Sequence, residues 1–303
     1  MTSSPQPPET PQKGGAALSR KADDLAARLA ARFGADGVST AGLADLAPDG
    51  CTPRALLLPA SAAETAAVLA YARAEQLRVA PVGGGTRRSA GGLPRGIDLL
   101  LSTARLNRIV DYAPADFVIT AEAGVTLENL RSATAPNGQW LALDPPARAG
   151  ATLGGALSVD ASGPHRYLYG TARDLVVGLE AALPNGDVVR SGGRVVKNVA
   201  GYDLKKIFLG ALGTLGVITS VSIKLHAIPE DETLIVASFP DYPCAADATA
   251  ALLRAGYEIA ALDLVTREVL EALGPAVIPD ETGCGLLLSL TGTPASNSAQ
   301  ASE

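Results

Sequence analysis

Residues 81–92 read PVGGGTRRSAGG, and the fold turns on what the glycine run 83–85 is for. The apolar stretch Arg78–Val82 before it reads as a short strand running into the loop. Glycine opens backbone angles closed to other residues and removes the Cβ that keeps a ligand off the main chain. Successive amides can then converge on an anion, with the Thr86 hydroxyl as a further donor. Two familiar phosphate loops do not fit. No lysine follows the glycines, as G-x-x-x-x-G-K-[ST] requires, and G-x-G-x-x-G begun at Gly83 would place Arg88 at its third glycine. Alone, the stretch is either a flexible turn or a cradle for phosphate.

The rest of the chain bears on that choice. A second glycine-marked block, DPPARAGATLGGALSVDASGPHRYLYGTARD, spans Asp144–Asp174. A third, RVVKNVAGYDLKKIFLGALGTLGVIT, spans Arg194–Thr219. Between them LVVGLEAALPNGDVVRSGG reads as a hairpin around Pro184-Asn185-Gly186-Asp187, because Asn-Gly suits a tight turn with positive φ. Three blocks in this order resemble the FAD-binding domain of the vanillyl-alcohol oxidase and p-cresol methylhydroxylase superfamily. The wording VVKNVAGYDL is most similar to the FAD-binding E subunit of bacterial glycolate oxidase.

The resemblance covers residues 55–228 and implies an α+β fold in which two subdomains sandwich FAD, followed by a separate α/β domain. It implies that Val82, Gly83, Gly84, Gly85, Thr86 and Arg87 wrap the pyrophosphate, which a neutral nest of amides can hold without lysine. Asp144 and Pro145 would line the cofactor groove, with Thr152, Gly154 and Gly155 along it. Ser162, Gly163 and Gly170 would continue that wall, and Ile218 would meet the cofactor through its main chain. Gly154-Gly155 also reads as close packing at a helix start. Some relatives attach FAD through a histidine near the glycine loop; Thr86, Arg87 and Arg88 stand there instead, so the expectation is non-covalent FAD.

Around these blocks, Leu18, Leu25, Leu29 and Phe33 recur at helical spacing before Gly34. Ser61 and Glu64 form an S-x-x-E capping box, and Thr126 opens a short helix. Asp203 reads as a helix N-cap, Gly210, Gly213 and Gly216 as a helix-to-strand turn, and Trp140 and Tyr202 as packing residues. Lys197, beside Asn198, reads either as a partly exposed surface lysine or as a contact to the flavin or a partner. The expected division is a disordered tail 1–15, an FAD-binding domain 16–229, a short α/β domain 230–292 of pattern β-α-β-α-β, and a disordered tail 293–303.

Composition narrows the function. The chain has 303 residues, is 47% hydrophobic and carries a formal charge of −6, which argues against nucleic acid or anionic membrane as general partners. Cys51, Cys244 and Cys284 form no C-x-x-C pair, so no metal or iron–sulfur site is expected from this chain alone. MTSSPQPPETPQKGG lacks the apolar stretch of a secretory signal, so the expected location is cytoplasmic, or membrane-associated through partners. Oxidation of a 2-hydroxy acid needs a base and a carboxylate-binding cation. No histidine follows His226, and Arg254 and Arg267 lie in helix-like stretches suited to solvent, so no catalytic residue is assigned. The expected role is a non-covalent FAD-binding subunit of a glycolate-type 2-hydroxy-acid dehydrogenase complex, beside a larger catalytic flavin subunit and an iron–sulfur subunit. The alternatives are a self-sufficient FAD-dependent oxidoreductase and a cofactor-free scaffold.

Overall fold

The computed structural model describes residues 15–92, 94, 96–146, 149–193, 203–274 and 281–302. The chain enters through α1 (Gly15–Phe33), β1 (Val38–Ser39), α2 (Leu43–Leu46) and β2 (Ala55–Leu57). Helix α3 (Ala62–Ala74) leads to β3 (Val79–Val82), and β4 (Leu99–Ser102) inserts between β2 and β3. Both neighbours of β4 run parallel to it, whereas β1 pairs antiparallel with β2. Leu99, Leu100 and Leu101 are wholly buried, as a strand covered on both faces requires. The capping box at α3 forms with one change. Ser61 Oγ accepts the Glu64 amide at 3.1 Å, and the Glu64 carboxylate accepts the amide of Ala60 at 2.8 Å rather than that of Ser61. Leu25 and Leu29 of α1 join Leu57, Leu69 and Leu101 in one core, with Phe33 packed against it.

The second layer follows in chain order as β5 (Ile109–Ala113), β6 (Val118–Glu122), α4 (Leu127–Thr134), β7 (Gln139–Trp140), α5 (Leu153–Ser158), α6 (Arg166–Tyr169) and α7 (Ala172–Leu175). It continues through β8 (Val176–Ala182), β9 (Val188–Gly192), α8 (Lys205–Phe208), β10 (Val217–Lys224) and β11 (His226–Ala227). Five strands form an antiparallel sheet in the order β5-β6-β10-β8-β9, and β11 pairs with β7. The β8–β9 hairpin turns where expected: Ala182 faces Val188 and Gly186 takes φ +94°. One face of the sheet, with Ile119, Ala121, Leu179, Val221 and Ile223, is buried together with Leu130 of α4 and Leu153 and Leu157 of α5. This hydrophobic burial is the main force that holds the cofactor-side helices in place.

Beyond Ala227 the chain builds a third sheet from β12 (Asp231–Phe239), β13 (Ile259–Thr266) and β14 (Cys284–Gly292), with β14 central and antiparallel to both neighbours. Helices α9 (Tyr242–Ala255) and α10 (Arg267–Leu273) complete the expected β-α-β-α-β order. The tail 293–303 departs from expectation. Residues Pro294–Ser302 form helix α11, because Asn297 is fully buried and its Nδ2 donates to the Asp231 carboxylate at 2.8 Å. Composition suggested disorder, but the Asn297 amide, the Gln300 side-chain carbonyl that accepts the Glu258 amide at 2.9 Å, and the Thr293 cap on Ser296 at 3.2 Å hold the helix.

Asp203 also differs from its reading. The N-cap of α8 is Leu204, and the Asp203 carboxylate pairs with Lys205 at 2.5 Å and Lys206 at 3.4 Å. Gly210 and Gly213 take φ +79° and +72°, as a helix-to-strand turn demands. Arg267 lies in α10 but is not given over to solvent: it bonds Glu271 at 2.7 Å and the Thr282 carbonyl at 3.1 Å. Lys197, Asn198 and Tyr202 lie outside the described residues. Among the described residues no helix is long and apolar enough to cross a membrane.

Candidate cofactor site

A cleft of about 420 Å³ opens between the loop after β3, the start of α5 and the turn into β10. It lies at the carboxyl end of β3, where α/β sheets commonly take ligands. Ten of the residues named from the sequence line it. Val82, Gly84, Gly85, Thr86 and Arg87 come from the glycine loop, Pro145, Thr152, Gly154 and Gly155 from the second block, and Ile218 from β10.

Thr152 is the N-cap of α5: its hydroxyl accepts the Gly155 amide at 3.3 Å, which aims the start of the helix at the cleft. Gly154 serves packing as well as lining, since its amide bonds the Ala123 carbonyl at 2.8 Å and a Cβ there would sit 2.6 Å from Ala123 Cβ. The packing reading is seen directly at Gly154, and both glycines line the cleft.

The other five residues do not line the cleft. A Cβ on Gly83 would overlap the Thr152 hydroxyl, so Gly83 joins the two glycine blocks behind the cleft wall. Asp144 turns its carboxylate away to the 163–165 loop, accepting the Gly163 amide at 2.9 Å and the His165 amide at 3.1 Å. Gly163 is glycine because a Cβ would overlap the Asp144 carbonyl. Gly170 ends α6 with φ +82°. The Ser162 hydroxyl is buried without a partner outside the lining.

Leu46, Ile97, Leu100, Thr103, Leu212 and Val217 also line the cleft and escaped the sequence reading. Only position could have found Thr103, directly after the apolar β4: its amide bonds the Val82 carbonyl at 3.0 Å and sets it beside the glycine loop. Leu212 holds φ +55°, a strained value for a side chain with a Cβ.

The cleft carries unclaimed hydrogen-bonding capacity. The Thr103 hydroxyl is buried with no partner. Among the described residues, no protein acceptor takes the amides of Gly84, Gly85 or Thr86. Arg87 and Arg88 supply positive charge to the lining, whereas Arg78 is paired with Asp98 at 3.0 Å; among the described residues the lining contains no aspartate, glutamate or histidine. Arg88 spends one guanidinium nitrogen on the carbonyls of Ala44 at 3.4 Å and Ala47 at 3.3 Å. Exposed donors, a buried orphan hydroxyl and flanking cations suit an anionic, extended cofactor.

Residues 53–192 match the family model described as the FAD binding domain. This part of the chain is an FAD binding domain. It binds FAD. The chain is 34% identical over 225 residues to the probable mitochondrial D-lactate dehydrogenase of Danio rerio, covering 73% of this chain and 44% of that one. It is 30% identical over 234 residues to glycolate oxidase subunit GlcD of Bacillus subtilis (strain 168), covering 77% of this chain and 49% of the relative. The FAD-binding chain thus spans less than half the length of these relatives.

Among solved structures, p-cresol methylhydroxylase with substrate bound superposes with TM-score 0.72 at 20% identity, over 96% of this chain and 64% of that one. An alkyldihydroxyacetonephosphate synthase superposes with TM-score 0.74 at 20% identity, over 92% and 57%. At that identity the likeness establishes the fold.

Proposed function

We propose that the chain holds FAD without a covalent bond in this cleft and serves as the FAD-binding subunit, of the glycolate oxidase E type, in a 2-hydroxy-acid dehydrogenase complex. Its own part would be electron relay or assembly. The observation that carries this is the composition of the cleft: three arginines and a nest of amides, but no acid–base side chain among the lining residues.

In this reading the amides of Gly84, Gly85 and Thr86 hold the pyrophosphate and Arg87 offsets its charge, while Thr152 and the start of α5 fix the wall. Pro145, Gly154, Gly155 and Ile218 flank the remainder of the cofactor, and Thr103 donates to a polar atom of it. Bound FAD supplies a two-electron acceptor that can pass electrons on singly. The fifteen sequence-derived positions then divide into ten that touch the cofactor and five, Gly83, Asp144, Ser162, Gly163 and Gly170, that shape the loops carrying it.

The chain's histidines are poor candidates for a base. His165 has both ring nitrogens against carboxylates, and burial and Lys224 hold the His226 imidazole below its usual range. Substrate oxidation therefore falls to a partner, a larger flavin subunit. An iron–sulfur subunit would carry electrons onward, since Cys51, Cys244 and Cys284 are scattered as part-buried, exposed and buried thiols. The complex would be cytoplasmic or held at a membrane by its partners. The relatives' names, a glycolate oxidase subunit and a D-lactate dehydrogenase, support a 2-hydroxy acid as the substrate of the complex.

The test is anaerobic addition of glycolate or D-lactate to the purified, flavin-loaded chain. The flavin band is expected to persist in the chain alone and to bleach once the catalytic partner is added. Bleaching of the chain alone would overturn the relay reading in favour of a self-sufficient oxidoreductase.

A further inference from the structure

The only two histidines of the chain, His165 and His226, lie in one aromatic cluster at the junction of the FAD domain and the third sheet. His165 stands just before α6, and α6 packs on β13. The ring faces the second layer through Nδ1, 2.7 Å from the Asp144 Oδ2. It faces the third sheet through Nε2, 3.3 Å from the Glu232 Oε1 on β12. Glu232 is itself held by the Ser289 hydroxyl on β14 at 2.6 Å. A neutral imidazole has one N–H, so only the imidazolium can donate to both carboxylates; the neutral form turns a lone pair toward one of them. The two carboxylates belong to different layers, so one proton decides whether the ring joins them or repels one.

We propose that His165 is a proton-operated latch that fixes the three-stranded sheet to the FAD domain. Every other group facing the ring is compatible with that role. Trp140 of β7 meets it edge-on at 5.3 Å, and Tyr169 of α6 lies 6.1 Å away. Tyr169 in turn packs on His226 of β11 at 4.9 Å. Arg166, next in the chain, is exposed. The hydrogen bond that the ring donates to Asp144 raises the His165 imidazole above its ordinary value, burial opposes this, and Glu232 adds to the rise. A group raised on folding stabilises fully below its unfolded value, here 6.5, and loses that contribution as pH rises through its folded value. The latch is thus closed at mildly acidic pH and released on the alkaline side.

The experiment uses the full chain loaded with FAD. Imidazole NMR shows two titrations, and the signal lost in His165→Gln assigns one to His165. Its midpoint should lie above 6.5 and fall in Glu232→Gln, a change on the sheet side that leaves the FAD domain intact. Backbone hydrogen exchange of residues 231–239, corrected for the intrinsic pH effect, should rise about five-fold through the same midpoint. In both variants that pH step should vanish. A His165 midpoint unmoved by Glu232→Gln, or exchange of β12 without a pH step in the unsubstituted chain, would overturn the proposal.

Discussion

Gly84 approaches the Gly150 carbonyl so closely that a Cβ built on Gly84 would overlap its oxygen. The missing side chain would therefore point at the second glycine block rather than into the cleft. Gly84→Val is expected to force the two blocks apart, at about 1–3 kcal/mol or more. Thermal unfolding should report a lower midpoint even in the absence of added FAD. A variant of unchanged stability that merely fails to retain flavin would show that the side chain points into the cleft after all.

Arg87 and Arg88 are neighbours with different work. Arg88 is committed to the carbonyls of Ala44 and Ala47, whereas Arg87 is exposed at the cleft. Arg87→Gln should weaken FAD about ten-fold, with a shallower salt dependence, as loss of one charge-assisted hydrogen bond to phosphate implies. Arg88→Gln should act mainly on the stability of the 43–47 segment. Flavin titrations at two ionic strengths, beside melting curves, separate the two.

Asp144 supplies an acid-side test. Burial by itself pushes its carboxyl up, but hydrogen bonds from His165 and Gly163 outweigh that and hold it below its ordinary value of 3.8. Its stabilisation is present above 3.8 and is lost as pH falls through the lower folded value. The unsubstituted chain should therefore lose more stability than Asp144→Asn across that acidic range. Parallel losses in urea titrations at successive pH values would contradict the assignment.

Asn297 anchors the last helix to the third sheet. Asn297→Ala removes the bond to Asp231 and leaves a buried space, at a cost of about 1–3 kcal/mol. Hydrogen exchange across 294–302 should accelerate more than exchange across β14. Unchanged protection of that helix would mean that the Thr293 cap and the Gln300–Glu258 bond hold it without Asn297.

Much of the architecture was legible because local chemistry and tertiary context agree. Ser61 caps α3, Asn185-Gly186 turns the hairpin, and Leu25 and Leu29 enter the core that their spacing implies. The glycine loop was legible only in company, since glycines at 83–85 fit a turn as well as a cradle. What escaped depended on long-range contact. Thr103 reaches the cleft because β4 inserts between β2 and β3, an order no local pattern gives. Asp144 reads as a groove residue by position, yet its carboxylate is committed 19 and 21 residues along the chain. The tail from Pro294 reads as disordered because its anchors, Asn297 and Gln300, are polar residues whose partners lie 66 and 42 positions earlier.

The main-chain contact between residues 83–84 and 150–152 has a thermodynamic meaning for the flavin. Each subdomain contributes one side of the cleft, and Gly83 and Gly84 bring the two sides into close contact with Thr152 and Gly150. Little ordering is then left for FAD to impose, so association should proceed with a small loss of chain entropy and without hinge closure. The contact between the glycine blocks makes the shape of the binding cavity a matter of backbone packing rather than of side-chain choice.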